Sequence, residues 1–464
     1  MVWRSHYGPQ GGRKMDKKHA AKRNSQGLFA DGTGQPLPLA MQYDYTNFYF
    51  GSGNDPFDML GPFDEWWKDA EPAGYYLYGL PMQGEPGTRV NIRNTKTGKI
   101  HQDLLNFASY NYLGLSYRPE VKEAVKKAAE VYGNGASGSP ILSGSMEVHV
   151  ELSEKLARFK NKEAVLLFPT GYSVNVGVIA GLMRSGDLIV ADQYAHASLV
   201  DGMILSKATS RFFRHNKVED LERKLKKFSG KKLVLVEGVY SMDGDVAVLP
   251  DIVEVCKQYD ARILIDEAHS TFIYGEHGRG VAEHFGLDDE IDLHVGTFSK
   301  SLGGQGGYLA GSQQLINYLR GFSRSRFFSC GLSPVVTAGI LRALEIFEEE
   351  PGLRKDLWSN VEYMQRILRQ AGVPVGQSES QVIPILIQDD ARIFEIGEEL
   401  FRQGIYINPV QYPAVPKHKS RFRMSISATH TREELSEAAN IISKVLEKYG
   451  ICQNQSDTTI SKKG

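Results

Sequence analysis

Lys300 sits in Gly296-Thr297-Phe298-Ser299-Lys300-Ser301-Leu302-Gly303-Gly304, directly after the apolar run 293–295. An ammonium at the mouth of a buried strand must not be left as an unpaired charge. It can face a buried carboxylate, or it can be neutralised in a Schiff base with an aldehyde cofactor. Asp266 repeats the situation with the opposite sign. It ends the apolar run 263–265 and opens Asp266-Glu267-Ala268-His269. A carboxylate there needs a cation or several hydrogen-bond donors. Asp-Glu-Ala-His is also a helicase motif, in which Mg·ATP would supply the cation. The chain has no G-x-x-x-x-G-K-[ST] loop to cradle phosphates, which sets a nucleotide motor aside.

The other cation that suits Asp266 is the protonated ring nitrogen of pyridoxal 5'-phosphate (PLP), whose charged ring is an electron sink for a Cα carbanion. That cofactor also needs an amine, a phosphate cup and something against its ring face. Lys300 can supply the amine. Thr170-Gly171-Tyr172 follows the run 164–168 and can present backbone amides to a phosphate at a helix start. Thr297 can add a hydroxyl to the same phosphate. His196, in Asp192-Gln193-Tyr194-Ala195-His196-Ala197-Ser198, follows another strand and can stack on the ring. Ser241 and His269 can bond the ring's phenolic oxygen. Singly, either histidine would pass as structural. Following successive strands beside Asp266 and Lys300, they read as one site, because open parallel sheets bind ligands at their strand ends. The candidate catalytic set is Lys300, His196, Asp266 and His269. Cys256, Cys330 and Cys452 are far apart without metal-ligand spacing, so no metal is expected and a reducing compartment, the cytoplasm, suits them.

Positioning such a site takes a sheet. The apolar runs 164–168, 188–190, 233–236, 263–265, 293–295 and 308–310 show no polar alternation, as expected of parallel strands buried on both faces and wrapped by helices. Pro119 and Gly133 punctuate an amphipathic helix over 119–132, and a second helix carries Val148, Leu152, Leu156 and Phe159 on one face. Further on, helices are expected over 338–350, 357–370 and 393–403, with a strand at 382–387. Thr431-Arg432-Glu433-Glu434 predicts a capping box opening the last helix. The segment 43–78 is rich in aromatic residues and broken by Gly and Pro, which predicts an arm without regular structure packed over the main body or a partner subunit. A small hairpin is expected across Thr97-Gly98.

The resulting division is a basic tail (1–42), an N-terminal arm (43–104), a large domain (105–340), a smaller α/β domain (341–451) and a polar tail (452–464). The 464 residues are 41% hydrophobic and 23% charged with a formal net charge of -1, which gives no reason to expect nucleic acid or an anionic membrane as partner. No apolar run approaches the ~20 residues of a membrane span.

The ordered motifs Ser109-Tyr110-Asn111-Tyr112-Leu113-Gly114-Leu115, Thr170-Gly171-Tyr172-Ser173-Val174-Asn175, Phe213-Arg214-His215-Asn216, Glu237-Gly238-Val239-Tyr240-Ser241-Met242-Asp243-Gly244-Asp245, Asp266-Glu267-Ala268-His269 and Gly296-Thr297-Phe298-Ser299-Lys300-Ser301 resemble those of the α-oxoamine synthases. The likeness covers about 105–450 and is greatest to bacterial serine palmitoyltransferase. It implies the aspartate-aminotransferase-like α/β fold (PLP fold type I). It also implies a decarboxylative Claisen condensation of a small amino acid with an acyl-CoA or acyl carrier protein thioester, with Lys300 as general base. By the same likeness Asn111 and Arg423 would hold the substrate carboxylate. Arg421, on the same strand, is expected at the surface. Ser329 would reach the phosphate of a neighbouring subunit in a homodimer with shared sites. Two departures stand out. Gln411, in Pro409-Val410-Gln411-Tyr412-Pro413-Ala414-Val415-Pro416-Lys417, takes the place of an arginine, which leaves serine, glycine and alanine open as substrates. The region before Gly84 is longer than in compact members and could cover an acyl channel or dock a carrier protein. The other readings of the same residues are an aminotransferase or decarboxylase of this fold, and a non-catalytic partner subunit.

Overall fold

The computed structural model describes residues 43–49, 53–95 and 97–452. The basic tail and nearly all of the polar tail lie outside the described residues. Three strands precede the main sheet: β1 (Met82–Gln83), β2 (Arg89–Arg93) and β3 (Ile100–Asn106). The next seven are β4 (Ala164–Phe168), β5 (Leu188–Asp192), β6 (Thr209–Phe213), β7 (Lys232–Glu237), β8 (Ala261–Asp266), β9 (Leu293–Thr297) and β10 (Gly307–Gly311). They form one seven-stranded sheet in the order β4-β10-β9-β8-β7-β5-β6. The last four strands are β11 (Val382–Leu386), β12 (Ile405–Tyr406), β13 (Asn408–Val410) and β14 (Arg421–Ser425).

The apolar runs form strands because alternate side chains feed two different cores. Leu188 and Val190 of β5 join one cluster while Ile189 and Ala191 join the other. β7 and β8 divide in the same way, with Val234, Val236, Ile263 and Ile265 on one face and Leu233, Leu235 and Leu264 on the other. At ~1.5–3 kcal/mol for each fully buried aliphatic side chain, this two-sided burial is what holds the strand ends in register.

The run at 308–310 is not a further parallel strand. β10 pairs antiparallel with both β4 and β9, so the sheet is mixed although mostly parallel. β6 was not anticipated. It is the edge strand beside β5, and Thr209 and Ser210 are exposed, so it lacks the apolar signature of its neighbours.

The helices begin and end where their caps direct. Pro119 is the first residue of the helix Pro119–Tyr132, and Gly133 follows it with φ 71°. At the last helix, Arg432–Lys448, Thr431 Oγ1 accepts from Glu434 N at 3.1 Å and Thr431 N donates to Glu434 Oε2 at 3.0 Å.

The segment 43–78 departs from expectation. It contains a regular helix, Leu60–Ala70, whose Trp66 packs with Tyr45, Phe48, Phe63 and Tyr75 at ring separations of 5.1–5.5 Å. The hairpin β2–β3 forms as expected, and β12 pairs in parallel with β3, so a C-terminal strand completes the N-terminal sheet. β11, β14 and β13 make a third, antiparallel sheet.

Candidate active site

The carboxyl ends of the strands converge on a cavity of about 310 Å³ lined by Gly171, Tyr172, His196, Glu237, Asp266, His269, Thr297 and Lys300, among others. Each arrives there for a local reason. Thr170 caps the helix Gly171–Leu182 by accepting from Ser173 N at 3.0 Å, which aims the helix start into the cavity. Asp266 and Thr297 are the last residues of β8 and β9. Lys300 lies in the turn after β9, where its carbonyl accepts from Gly303 N at 3.0 Å. His196 caps the helix Ala197–Ser206 after β5.

Hydrogen bonds fix the orientations. Lys300 Nζ is 2.7 Å from His269 Nε2, and His269 Nδ1 is 2.8 Å from the Tyr112 hydroxyl. With the ammonium donating to Nε2, the proton of the neutral imidazole resides on Nδ1 and is donated to Tyr112. Asp266 Oδ2 accepts from Asn175 Nδ2 at 2.6 Å and Oδ1 from Ala268 N at 3.0 Å. Asn175 Nδ2 also donates to Ser198 Oγ at 2.9 Å, and that oxygen is 2.8 Å from His196 Nδ1. His196 N in turn donates to Glu237 Oε1 at 2.6 Å. One network thus links the carboxylate, the ring of His196 and the end of β7.

Burial sets the protonation states. It lowers Lys300 to about 8, with Asp266 and Glu237 pulling the other way. It keeps His269 well below the ordinary histidine value, helped by the nearby Lys300 charge. His196 is lowered by burial against the opposing pull of Asp266. Glu237 is raised well above the ordinary carboxylate value by burial and then by Asp266. The cavity therefore holds an amine of lowered basicity, two histidines shifted toward the neutral form and, beside Asp266, a second acid shifted toward its protonated form.

These residues fit PLP. Lys300 offers an amine of lowered basicity, and Asp266 is held rigidly by two donors. The first turn of the 12-residue helix at Gly171 presents backbone amides to a phosphate. The approach there is close, since a Cβ on Gly171 would lie 2.9 Å from the Cβ and Oγ1 of Thr297. Thr297 Oγ1 donates to Gly306 O at 2.9 Å, and its hydroxyl would have to turn from that carbonyl to donate to a phosphate oxygen.

The remaining expected residues lie around this cavity. Ser241 lines an adjoining cavity of about 450 Å³ that shares Tyr172 and His196 with the first. Ser329 lines neither cavity, and its hydroxyl donates to Ser325 O at 2.7 Å. Asn111 is buried and borders a smaller pocket with Ser425 and Ser427. Arg423 and the lysine both lie near the Tyr110 ring. The Arg423 guanidinium is 4.5 Å from that ring centroid and Lys300 Nζ is 5.9 Å from it. Arg423 is buried, is lowered to about 10 by that burial, and has an unpartnered Nε, which leaves a donor for a planar carboxylate.

Arg421 is not at the surface. It is 4% exposed, donates to Met242 O at 3.0 Å and pairs with Asp243. Glu237, Asn175 and Ser198 were not assigned roles from the sequence. The available signals were that Glu237 ends a strand as Asp266 does, and that Asn175 falls one helical turn after Gly171.

Residues 102–442 match the aminotransferase class I and II family. The chain is 39% identical over 386 residues to a serine palmitoyltransferase of Sphingobacterium spiritivorum, covering 83% of this chain and 95% of that protein. It is 40% identical over 387 residues to an 8-amino-7-oxononanoate synthase of Thermoanaerobacter pseudethanolicus, with 83% and 96% covered. Among solved structures, the Sphingomonas wittichii serine palmitoyltransferase superposes with a TM-score of 0.81 at 32% identity, covering 86% of this chain and all of that one (100%). A serine palmitoyltransferase from S. paucimobilis with a bound PLP–myriocin aldimine gives the same TM-score of 0.81. The chain belongs to the aminotransferase class I and II family, in its α-oxoamine synthase branch.

Proposed function

We propose that the protein binds PLP and condenses a small amino acid with an acyl thioester, releasing a thiol and CO2 and leaving an α-amino ketone. The observation that carries this reading is the pairing of Lys300 and His269 at 2.7 Å in the same cavity as Asp266, with Arg423, whose Nε has no partner, also packed on Tyr110. Relatives that are serine palmitoyltransferase and 8-amino-7-oxononanoate synthase support it. When bound, PLP supplies an electron-withdrawing ring that stabilises negative charge on the Cα of the amino acid.

The chain's own groups account for the remaining tasks. Gly171, Tyr172 and Thr297 would hold the phosphate. Asp266, held by Asn175 and Ala268 N, would keep a proton on the ring nitrogen. His196, fixed through Ser198, would lie against the ring face, and His269 would bond the phenolic oxygen. Arg423 and Asn111 hold the carboxylate of the amino acid, so that its Cα–H faces Lys300. The buried, weakly basic amine of Lys300 takes that proton and later returns it. Attack of Cα on the thioester carbonyl forms the carbon–carbon bond and expels the thiolate, which takes a proton from water, and loss of CO2 followed by return of the proton from Lys300 to Cα gives the ketone product.

The reading extends to a homodimer, because Ser329 lines neither of the two cavities described above and by the family likeness suits a partner's phosphate. No helix among the described residues is long and apolar enough to cross a membrane, and the thiols of Cys256, Cys330 and Cys452 suit the cytoplasm. Serine, glycine and alanine are the candidate amino acids, with acyl-CoA or an acyl carrier protein thioester as donor. The test is to incubate the holoprotein with each amino acid and with thioesters of both kinds while following free thiol and CO2. Stoichiometric release of both supports the condensation. A cofactor converted to its amine form, with no thiol released from any donor, would establish transamination instead.

A further inference from the structure

The adjoining cavity of about 450 Å³ abuts the reacting centre through Tyr172 and His196, and part of its wall is the loop segment 413–416. That loop is fastened to the N-terminal aromatic arm. Tyr78 Oη donates to Pro409 O at 2.9 Å, and Gln411 Nε2 donates to Tyr75 Oη at 2.6 Å. Tyr75 is itself immobilised. It is 2% exposed, stacks on Phe394 with centroids 4.4 Å apart, and meets the edge of Trp66 at 5.2 Å. The turn before it admits only glycine, since Gly74 has φ 120° and a Cβ there would lie 2.4 Å from Phe394 Cβ. Within the loop, Ala414 N and Val415 N both donate to Gln411 O, at 3.0 and 3.4 Å. The backbone of Gln411 therefore shapes the wall while its side chain anchors it to the arm.

We propose that Gln411 is a positioning residue that, through Tyr75, uses the aromatic arm to fix the 413–416 wall and thereby sets which acyl chain the adjoining cavity admits. The proposal rests on the acyl-thioester reading above. The occupant is the acyl tail of the donor, because the cavity shares two residues with the lysine site and has Val200, Met242, Pro413 and Val415 among its apolar lining. A side chain turned toward Tyr75 is also withdrawn from the amino acid, whose carboxylate is left to Arg423 and Asn111.

The test uses Tyr75→Phe, which keeps the ring stack and removes only the hydroxyl, and Gln411→Met, which keeps volume and removes the donor. Two readouts are taken on the holoprotein: amide exchange at 414 and 415, and the ratio of kcat/KM for saturated acyl-CoA substrates of graded length. Each variant is expected to speed exchange at 414 and 415 by roughly fivefold, the factor for a net hydrogen bond of about 1 kcal/mol. Each should also flatten the length preference by a similar factor, leaving the cofactor absorbance and the amino-acid titration unchanged. The double variant should match either single one, because both remove the same bond. Wild-type exchange in both variants, faster exchange with an unchanged length profile, or single effects that multiply in the double variant would each overturn the proposal. A wild-type protein that releases no thiol from any donor would refute the condensation itself, whereas the exchange readout still reports on the loop anchor.

Discussion

Lys160→Met tests how the floor of the site is held. Lys160 and Glu267 have side chains with 0% exposure and bond at 2.6 Å, and Glu267 is the immediate neighbour of Asp266. Glu267 also accepts from Ala282 N at 3.1 Å and lies 3.5 Å from His294 Nδ1. Burial alone would raise its carboxyl, but the Lys160 charge and His294 outweigh burial and hold it at about 2 instead of 4.5. At ~1.4 kcal/mol per pH unit, that depression corresponds to about 3 kcal/mol of stability. The range of ~3–5 kcal/mol for removing one partner of a buried pair agrees.

The sign follows from the depressed value. The contribution is fully present above the unfolded carboxyl range and is lost as pH falls through about 2. The deficit of the variant is therefore full at neutral pH and narrows in acid. With a urea slope of ~3 kcal/mol per molar, the midpoint should fall by about 1 M, read from the fluorescence of Trp66, Trp67 and Trp358. Adding Glu267→Gln should recover part of the loss, because no unpaired charge then remains. A Lys160→Met midpoint equal to wild type at neutral pH, or a deficit that grows in acid, would refute the reasoning.

Three further outcomes follow. Asn175→Ala removes a charge-assisted bond of 2.6 Å to Asp266 and should weaken PLP retention roughly tenfold or more, measured by titrating the apoprotein with cofactor. Arg423→Lys loses the planar fork and should raise the amino-acid KM roughly tenfold while the absorbance of the resting holoprotein stays unchanged. His215 lies 3.0 Å from Asp192 Oδ1 and 2.6 Å from Asp245 Oδ2; burial would lower it, but these carboxylates lift it to about 9. Its stabilisation is present below the ordinary histidine value and is lost as pH rises through about 9. His215→Asn should thus cost about 1–2 kcal/mol in mild acid, after allowance for solvent screening, and little in strong alkali, as read from denaturation midpoints across pH.

What was legible in the sequence is what local pattern encodes. The apolar runs marked six of the seven strands of the main sheet because burial on both faces leaves no polar alternation. Lys300 and Asp266 stood out because each puts a charge at the end of such a run. Hydrophobicity carries no strand direction, so β10 was read as one more parallel strand. β6 escaped because an edge strand with exposed Thr209 and Ser210 looks like a loop. The helix Leu60–Ala70 was hidden by Gly61 and Pro62 near its start, although proline in a first turn is compatible with a helix. Arg421 was misplaced because its partners, Met242 and Asp243, lie 179 and 178 residues away in the chain. The bond between Gln411 and Tyr75 spans 336 residues, and nothing in the spacing of either motif announces it.

The most direct measurement of the central claim is borohydride reduction of the holoprotein followed by proteolysis and mass mapping. The account predicts a single pyridoxyl adduct on Lys300, within the peptide that also contains Thr297, and no comparable absorbance or label in Lys300→Ala. An adduct on a different lysine, or a Lys300→Ala protein that still turns over at the wild-type rate, would contradict it.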